Sequence, residues 1–255
     1  MSRRPITIVM YHSVAAEVDR YTVSPGTFAR QLRAIAERYE VIRLGDLDAV
    51  LAAPNGGRRV ALTFDDALLD FHRHAFPVLE QLRLPSTVFV PTGHVGGHNA
   101  WDADVGGTRK DVMDVRHLRE LAATGLVEFG SHTVDHVRMA AVPPDEMRRQ
   151  ARDSKAQLEE WLGAPVTMFA YPYGQLADFS HATTEVVADA GYRLAVTTHW
   201  GTRNAAHEAL RLRRVYFNDA DGARAVRRKV AGWYDWMGLK ERLGYALRRA
   251  VGSRQ

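Results

Sequence analysis

Three short segments of this 255-residue chain hold residue types that could do hydrolytic chemistry: Thr63-Phe64-Asp65-Asp66, Ser131-His132-Thr133-Val134-Asp135-His136 and Phe169-Ala170-Tyr171-Pro172-Tyr173-Gly174. The first supplies two adjacent carboxylates, the second a histidine pair four residues apart, the third a rigid turn. Metal-assisted hydrolysis needs acceptor ligands for a divalent cation, a separate base to activate water, and something to hold a developing oxyanion. Each requirement has a candidate. Adjacent residues at a strand end diverge, so one of Asp65 and Asp66 could bind a cation while its neighbour takes a proton. The competing reading is that Asp66 or a neighbour caps the next helix. His132 and His136 face the same way on one turn of helix or a tight loop, although surface histidines at this spacing also arise by chance. Two His and one Asp would form a facial set with open positions, compatible with zinc, iron or cobalt. In Tyr171-Pro172-Tyr173-Gly174, Pro and Gly fix a turn whose backbone amides could point at a ligand; taken alone it is a turn and no more.

These segments need a scaffold, and the pattern around them supplies one. Short β-branched or apolar runs alternate with longer helical patterns, which predicts βαβ units and a parallel sheet. The expected strands are 6–11, 59–64, 86–91, 127–130, 167–170 and 193–198. All three chemical segments then fall at strand C-terminal ends, where barrel active sites are built. Expected helices begin at Ser24-Pro25, read as a cap followed by Pro at the first helical position, and continue at about 68–82, 115–124, 144–162, 180–190 and 222–249. The Gly-rich stretch Thr92 to Thr108 reads as a long loop of the kind that is often functional. Six or more strands with crossovers suggest a closed or nearly closed barrel, with an open doubly wound sheet as the alternative.

Composition bounds the rest. Apolar residues at 46% and charged residues at 25% are those of an ordinary globular chain, and the length suits one large α/β domain. There is no cysteine, so disulfides and thiolate metal ligation are excluded and any metal must sit on His, Asp or Glu. The segment Ile6 to Tyr11 is too short to span a bilayer, and no small-residue cleavage site accompanies it; the expectation is a strand in a cytoplasmic protein. The net charge of +4 is uneven: from Gly222 to Gln255 nine Lys/Arg face two acidic residues. This basic tail, with Trp233, Tyr234, Trp236 and Tyr245, reads either as a solvated helix packing its aromatics on the barrel or as a weak contact for an anionic membrane surface. No nucleic-acid recognition motif accompanies it.

In order, spacing and strand-end placement, T-F-D-D, S-H-T-x-x-H and F-A-Y-P-Y-G together resemble the polysaccharide deacetylase family, also called the NodB-homology or carbohydrate esterase 4 group, over about residues 5 to 215. The resemblance implies a single-domain distorted (β/α)7–8 barrel over 1–221, followed by the basic helical tail 222–255 packed on it or extending from it. It implies an enzyme that removes acetyl groups from N-acetylated sugars of a polysaccharide, oligosaccharide or lipid-linked glycan, using a divalent metal. Zinc is the first expectation, with cobalt, nickel or iron as alternatives. By position Asp65 resembles the catalytic base, Asp66, His132 and His136 the metal ligands, and Tyr173 the residue whose backbone amide helps to hold the oxyanion. Trp101, Tyr171 and Pro172 are candidate substrate contacts, Trp101 being equally readable as the buried anchor of its loop.

The chain also departs from the family pattern. Ala67 stands where the first motif usually has Gly, which implies either an ordinary backbone there or some strain. Ala170 stands where many members carry the Arg that partners the base, and Arg214 or Arg213 could replace it from a late strand. The family's general acid is usually a His in a C-terminal L-x-H motif, which is absent here. Met10-Tyr11-His12 looks like that motif moved to the front, as in the branch acting on poly-N-acetylglucosamine, so His12 is the expected general acid and His199 its rival. Two alternatives remain beside the deacetylase: an amidohydrolase acting on a small non-polymeric amide, and a non-catalytic carbohydrate-binding relative. The expected setting is cytoplasmic, at most peripheral on the inner membrane face.

Overall fold

The computed structural model describes residues 6–52, 58–105 and 108–252. Gly106 and Gly107 of the Thr92–Thr108 stretch, and the chain ends 1–5 and 253–255, lie outside the described residues. In order, the strands are β1 (Ile6–Tyr11), β2 (Ser13–Val14), β3 (Thr22–Val23), β4 (Glu40–Ile42), β5 (Arg59–Phe64), β6 (Ser86–Val90), β7 (Val127–Ser131), β8 (Met168–Ala170), β9 (Leu194–Trp200) and β10 (Leu212–Tyr216). The α-helices are α1 (Pro25–Ala36), α2 (Leu47–Ala52), α3 (Phe76–Leu82), α4 (Val115–Ala123), α5 (Pro144–Leu162), α6 (His181–Asp189), α7 (Ala223–Val230) and α8 (Trp236–Gly252).

The parallel sheet runs β1-β10-β9-β8-β7-β6-β5-β4, and β1 also pairs with β5 from Ile6↔Arg59 to Tyr11↔Phe64. That pairing closes seven strands into a parallel barrel. β4 is outside the ring and pairs with the first half of β5, ahead of the point where β6 takes over that edge at Thr63 and Phe64. The period-two alternation of the strands separates two layers of core. Ile8, Ala61, Phe89, Ala170, Val196 and Leu212 fill the barrel interior. Val9, Leu62, Val88, Phe129 and Val215 point outward and are covered by helix residues such as Phe28, Leu32, Leu79, Leu118 and Leu158.

The helices form where the apolar stripes predict them, with three differences. Pro25 does open α1, but Ser24 does not cap it; its hydroxyl donates to Asp219 Oδ1 at 2.6 Å. The 68–82 pattern starts as a π-helical turn at Phe71–Ala75 before α3, where Pro77 has no N–H to continue the regular ladder. The single helix expected over 222–249 is two, α7 and α8. Gly232, at φ +82°, ends the first: its N–H donates to Lys229 O (3.1 Å) and the next N–H, of Trp233, to Arg228 O (3.1 Å). This is a Schellman stop, which requires the left-handed conformation that Gly adopts without strain. Val226 and Val230 of α7 are buried, and Thr7 donates to the Val230 carbonyl at 2.9 Å, so this part of the tail packs on the barrel.

Candidate active site

The strand ends bring the three segments together at one mouth. At the end of β5 the backbone turns sharply, with Asp66 at φ +74° and Ala67 at +50°. Ala67 therefore adopts the left-handed conformation that a glycine would accept freely, and the strain expected on that branch is present. The turn sends the two carboxylates apart. Asp65 faces Arg214, and Asp66 faces the two histidines. Neither caps α3, which begins ten residues later.

Of the two late-strand arginines, Arg214 is the one that reaches Asp65. It lies on β10 two residues beyond Leu212, and strand periodicity points both into the barrel. Its Nη1 donates to Asp65 Oδ1 (2.7 Å) and to Thr63 Oγ1 (3.1 Å), its Nη2 to Asp65 Oδ2 (2.6 Å), and its Nε to the Thr197 carbonyl (2.8 Å). That carbonyl is available because β9 bulges: Leu212 pairs with Val196 but Arg214 with Trp200, which leaves extra β9 residues between. Arg213 points the other way, to Glu208 at 2.9 Å and the Arg203 carbonyl at 3.2 Å. Both Asp65 and Arg214 are fully enclosed. Burial alone would raise the Asp65 carboxyl; the adjoining guanidinium outweighs it and holds the group below the usual carboxylate range.

On the other side, Asp66 Oδ1 lies 3.5 Å from His132 Nε2 and 3.3 Å from His136 Nε2. The three potential ligand atoms all fall within 4.8 Å of one another, and all three residues are buried. His132 Nδ1–H donates to the Ala170 carbonyl at 2.8 Å, which fixes the tautomer and turns the Nε2 lone pair inward. Burial pushes the His132 imidazole down to about 4, against the pull of nearby Asp65, so it is neutral at ordinary pH. Burial would raise Asp66, but the two imidazoles bring it well below its ordinary value. Asp66 Oδ1 is buried without a hydrogen-bond partner. Three potential ligand atoms converging within 4.8 Å, one of them a buried carboxylate oxygen with no hydrogen-bond partner, suit a divalent cation, and the set lacks sulfur, so the residues fit the metal the sequence predicts.

Supporting groups that the motifs did not reveal hold this geometry. Thr133 (φ +67°) and His136 (φ +52°) kink the loop between the ligands. Gln150 of α5, fully buried, accepts from Val134 N (2.8 Å) and Asp135 N (2.9 Å) and donates to Asp135 Oδ2 (2.6 Å). Its signal in the sequence is an amide on the buried stripe with Met147, Ala151, Ser154 and Leu158. Trp101 stacks on His136 (centroids 4.4 Å, planes 24° apart) with His94 edge-on at 4.8 Å, so it anchors its loop against the His136 ring.

Tyr173, at φ +60°, sits in the turn after β8. Its carbonyl accepts from Thr198 Oγ1 at 2.7 Å, and Arg138, paired with Asp178, lies 3.7 Å over its ring. Among the described residues no acceptor takes the Tyr173 N–H, which leaves it free for a ligand. Tyr171 is placed elsewhere: it points into the outer core, is fully buried, and its hydroxyl donates to the Leu210 carbonyl, so its side chain offers no surface to a substrate. Pro172 is buried within the turn. His12, partly exposed at the end of β1, has Nε2 3.9 Å from Asp65 Oδ2. His199 is directed away, its Nδ1 2.7 Å from Glu241 of α8.

Comparison with known proteins agrees with this fold. A family model for polysaccharide deacetylase matches residues 52–195. The poly-beta-1,6-N-acetyl-D-glucosamine N-deacetylase of Staphylococcus aureus (strain MRSA252) is 25% identical over 182 residues, 67% of this chain and 60% of that protein; the chain thus spans less than two thirds of that relative. The structure of IcaB from Ammonifex degensii superposes with a TM-score of 0.76 at 28% identity, covering 90% of this chain and 98% of that one. The Streptococcus pyogenes deacetylase PplD, solved in complex with acetate, gives a TM-score of 0.76 at 25% identity over 90% and 99% of the two chains. With more than half of its length matched by the family model and its barrel shared with these deacetylases, the chain belongs to the polysaccharide deacetylase family and is a hydrolase of the carbohydrate N-deacetylase class.

Proposed function

We propose that this protein hydrolyses the N-acetyl group of N-acetylglucosamine units in a poly- or oligosaccharide, releasing acetate and leaving a free amine. The observation that carries the reading is the division of labour between two adjacent carboxylates. Asp65 is charged, fixed by Arg214 and outside the metal-binding group, while Asp66 completes the His132–His136 set. The likeness to the Staphylococcus aureus enzyme supports poly-β-1,6-linked N-acetylglucosamine as the first substrate to test.

Asp66, His132 and His136 would hold a divalent cation, zinc being the first choice, which supplies polarisation of the acetyl carbonyl and a more acidic bound water. The remaining steps belong to the chain's own groups. Asp65 Oδ2 accepts the proton of the attacking water, and Arg214 keeps that carboxylate charged and correctly turned until it does. The free Tyr173 N–H donates to the carbonyl oxygen as negative charge develops on it. His12, on the same side of the mouth as Asp65, delivers a proton to the departing sugar nitrogen, without which the amine is a poor leaving group. Trp101 keeps the His136 ring in place by stacking on it.

Acetate release from poly-β-1,6-N-acetylglucosamine fragments and chitooligosaccharides, with bound metal measured on the same samples, tests the assignment. Asp65→Asn should keep its metal and lose turnover, and His132→Ala should lose both. Asp65→Asn protein that loses its metal, or His132→Ala protein that keeps both metal and turnover, would refute these roles.

A further inference from the structure

The basic tail has a surface that the catalytic reading leaves unused. α8 is fixed to the barrel on one side only. Glu241 Oε2 accepts from His199 Nδ1 (2.7 Å) and Trp200 N (3.1 Å), and in the preceding turn Asp235 accepts from Thr202 N (3.1 Å) and Thr202 Oγ1 (2.8 Å). These bonds hold the helix at the C-terminal end of β9, the end of the barrel that carries the site.

The other side of α8 presents Trp236 (59% exposed), Leu239 (60%), Leu243 (57%) and Leu247 (68%). At about 100° per residue these four fall within an arc of about 80°. Trp233, 67% exposed, stands just ahead of them. On the same helical wheel Lys240 borders the arc on one side and Arg242 on the other, and both are exposed. Glu241 is the only carboxylate in α8, and its engagement with β9 leaves the outward side with cations alone. A contiguous row of large exposed apolar side chains marks an interaction surface. A row with Trp at one end and cations on both flanks has the chemistry of a helix lying in the plane of a charged lipid interface. A transmembrane role is not open to it: among the described residues no helix is long and apolar enough to cross a membrane.

We propose that α8 docks this protein on an anionic phospholipid bilayer, with Trp236, Leu239, Leu243 and Leu247 entering the headgroup boundary and Lys240 and Arg242 meeting lipid phosphates. Because Glu241 and Asp235 fix the helix to the rim of the barrel, docking holds the mouth beside the bilayer surface. The proposal is independent of which amide the site hydrolyses.

The experiment is flotation of the full chain with phosphatidylcholine vesicles, with and without phosphatidylglycerol, alongside sedimentation to determine its oligomeric state. The expected result is binding only to the phosphatidylglycerol vesicles, weakened by salt. Leu243→Glu should lower partitioning at least tenfold. Lys240→Gln should lower it about fivefold, as should Arg242→Gln. All three positions are exposed, so circular dichroism and thermal unfolding should match the parent and exclude a folding defect. Parent and Leu243→Glu protein partitioning equally, or equal binding to neutral vesicles, would overturn the proposal. So would a dimer that Leu243→Glu converts to a monomer while neither form binds vesicles, since the stripe would then be a contact between two copies.

Discussion

Removing the Arg214 guanidinium while keeping its bulk, as in Arg214→Met, strips Asp65 of its two charge-assisted hydrogen bonds and of its principal counter-charge. In a bidentate pair with N–O distances of 2.6 and 2.7 Å the charge centres are about 4 Å apart, and at an effective dielectric constant of about 20 their attraction is about 4 kcal/mol. Burial, opposed then only by the weaker pull of His132 and His12, favours the neutral acid, which cannot accept a proton from water. Near neutral pH, kcat/KM for acetate release should fall on the order of a thousandfold. The acidic limb of its pH profile should move to higher pH, so that part of the activity returns in alkali. Metal content should be unchanged, because Arg214 does not touch Asp66 or the histidines. The variant should also lose about 3–5 kcal/mol of stability, the usual cost of breaking one half of a buried pair, and an Asp65→Asn Arg214→Met double variant should recover part of it. Arg213→Met is the control, since its guanidinium bonds Glu208 instead. An acidic limb that stays in place in Arg214→Met, or one that moves in Arg213→Met, would refute this account of the base.

Three other outcomes follow from the supporting groups. Gln150→Ala leaves the Val134 and Asp135 amides without an acceptor; at about 1–3 kcal/mol for each buried unmet group, the melting temperature should drop, and metal affinity measured by competition with a chelator should weaken roughly tenfold or more. At Gly174, φ is +60° and an added Cβ would lie 2.7 Å from Thr198 N and 2.9 Å from the Tyr171 carbonyl, so Gly174→Ala should displace the Tyr173 turn and lower kcat more than metal affinity; an unchanged kcat would separate Tyr173 from the chemistry. In the metal-free protein, His132 binds its proton near 6.5 when unfolded but only near about 4 when folded. Between those values the unfolded chain holds the extra proton, so stability contributed by this group rises with pH by up to about 1.4 kcal/mol per unit, and urea unfolding of His132→Gln should lack that part of the slope.

How much of this was legible in the chain differs from residue to residue. The segments at 63–66, 131–136 and 169–174 announced the chemistry because they combine scarce residue types with strand-end positions, and short-range pattern is enough to read both. Periodicity located six of the barrel strands for the same reason. It did not mark β2, β3, β4 or β10, the last of which is the unplaced late strand that carries Arg214. Arg213 and Arg214 are chemically identical neighbours on one strand, and only closure of the ring decides which of them faces inward. The same closure sends Tyr171 outward into the helix-covered core while Tyr173, two residues on, turns back to the mouth, because the left-handed turn there breaks the strand's alternation. Gln150 is 15 and 16 residues from the two amides it accepts from, on a separate helix, and no local pattern names those partners. The tail's charge and aromatics were visible in the sequence. Which side of α8 is anchored and which is bare depended on contacts made by two carboxylates, Glu241 on His199 and Trp200 and Asp235 on Thr202. The sequence by itself thus determined the repertoire of reacting groups and their order, since residue type and spacing are local properties. The tertiary structure decided which groups meet, because burial, strand register and the facing of a side chain are settled only when distant segments pack against each other.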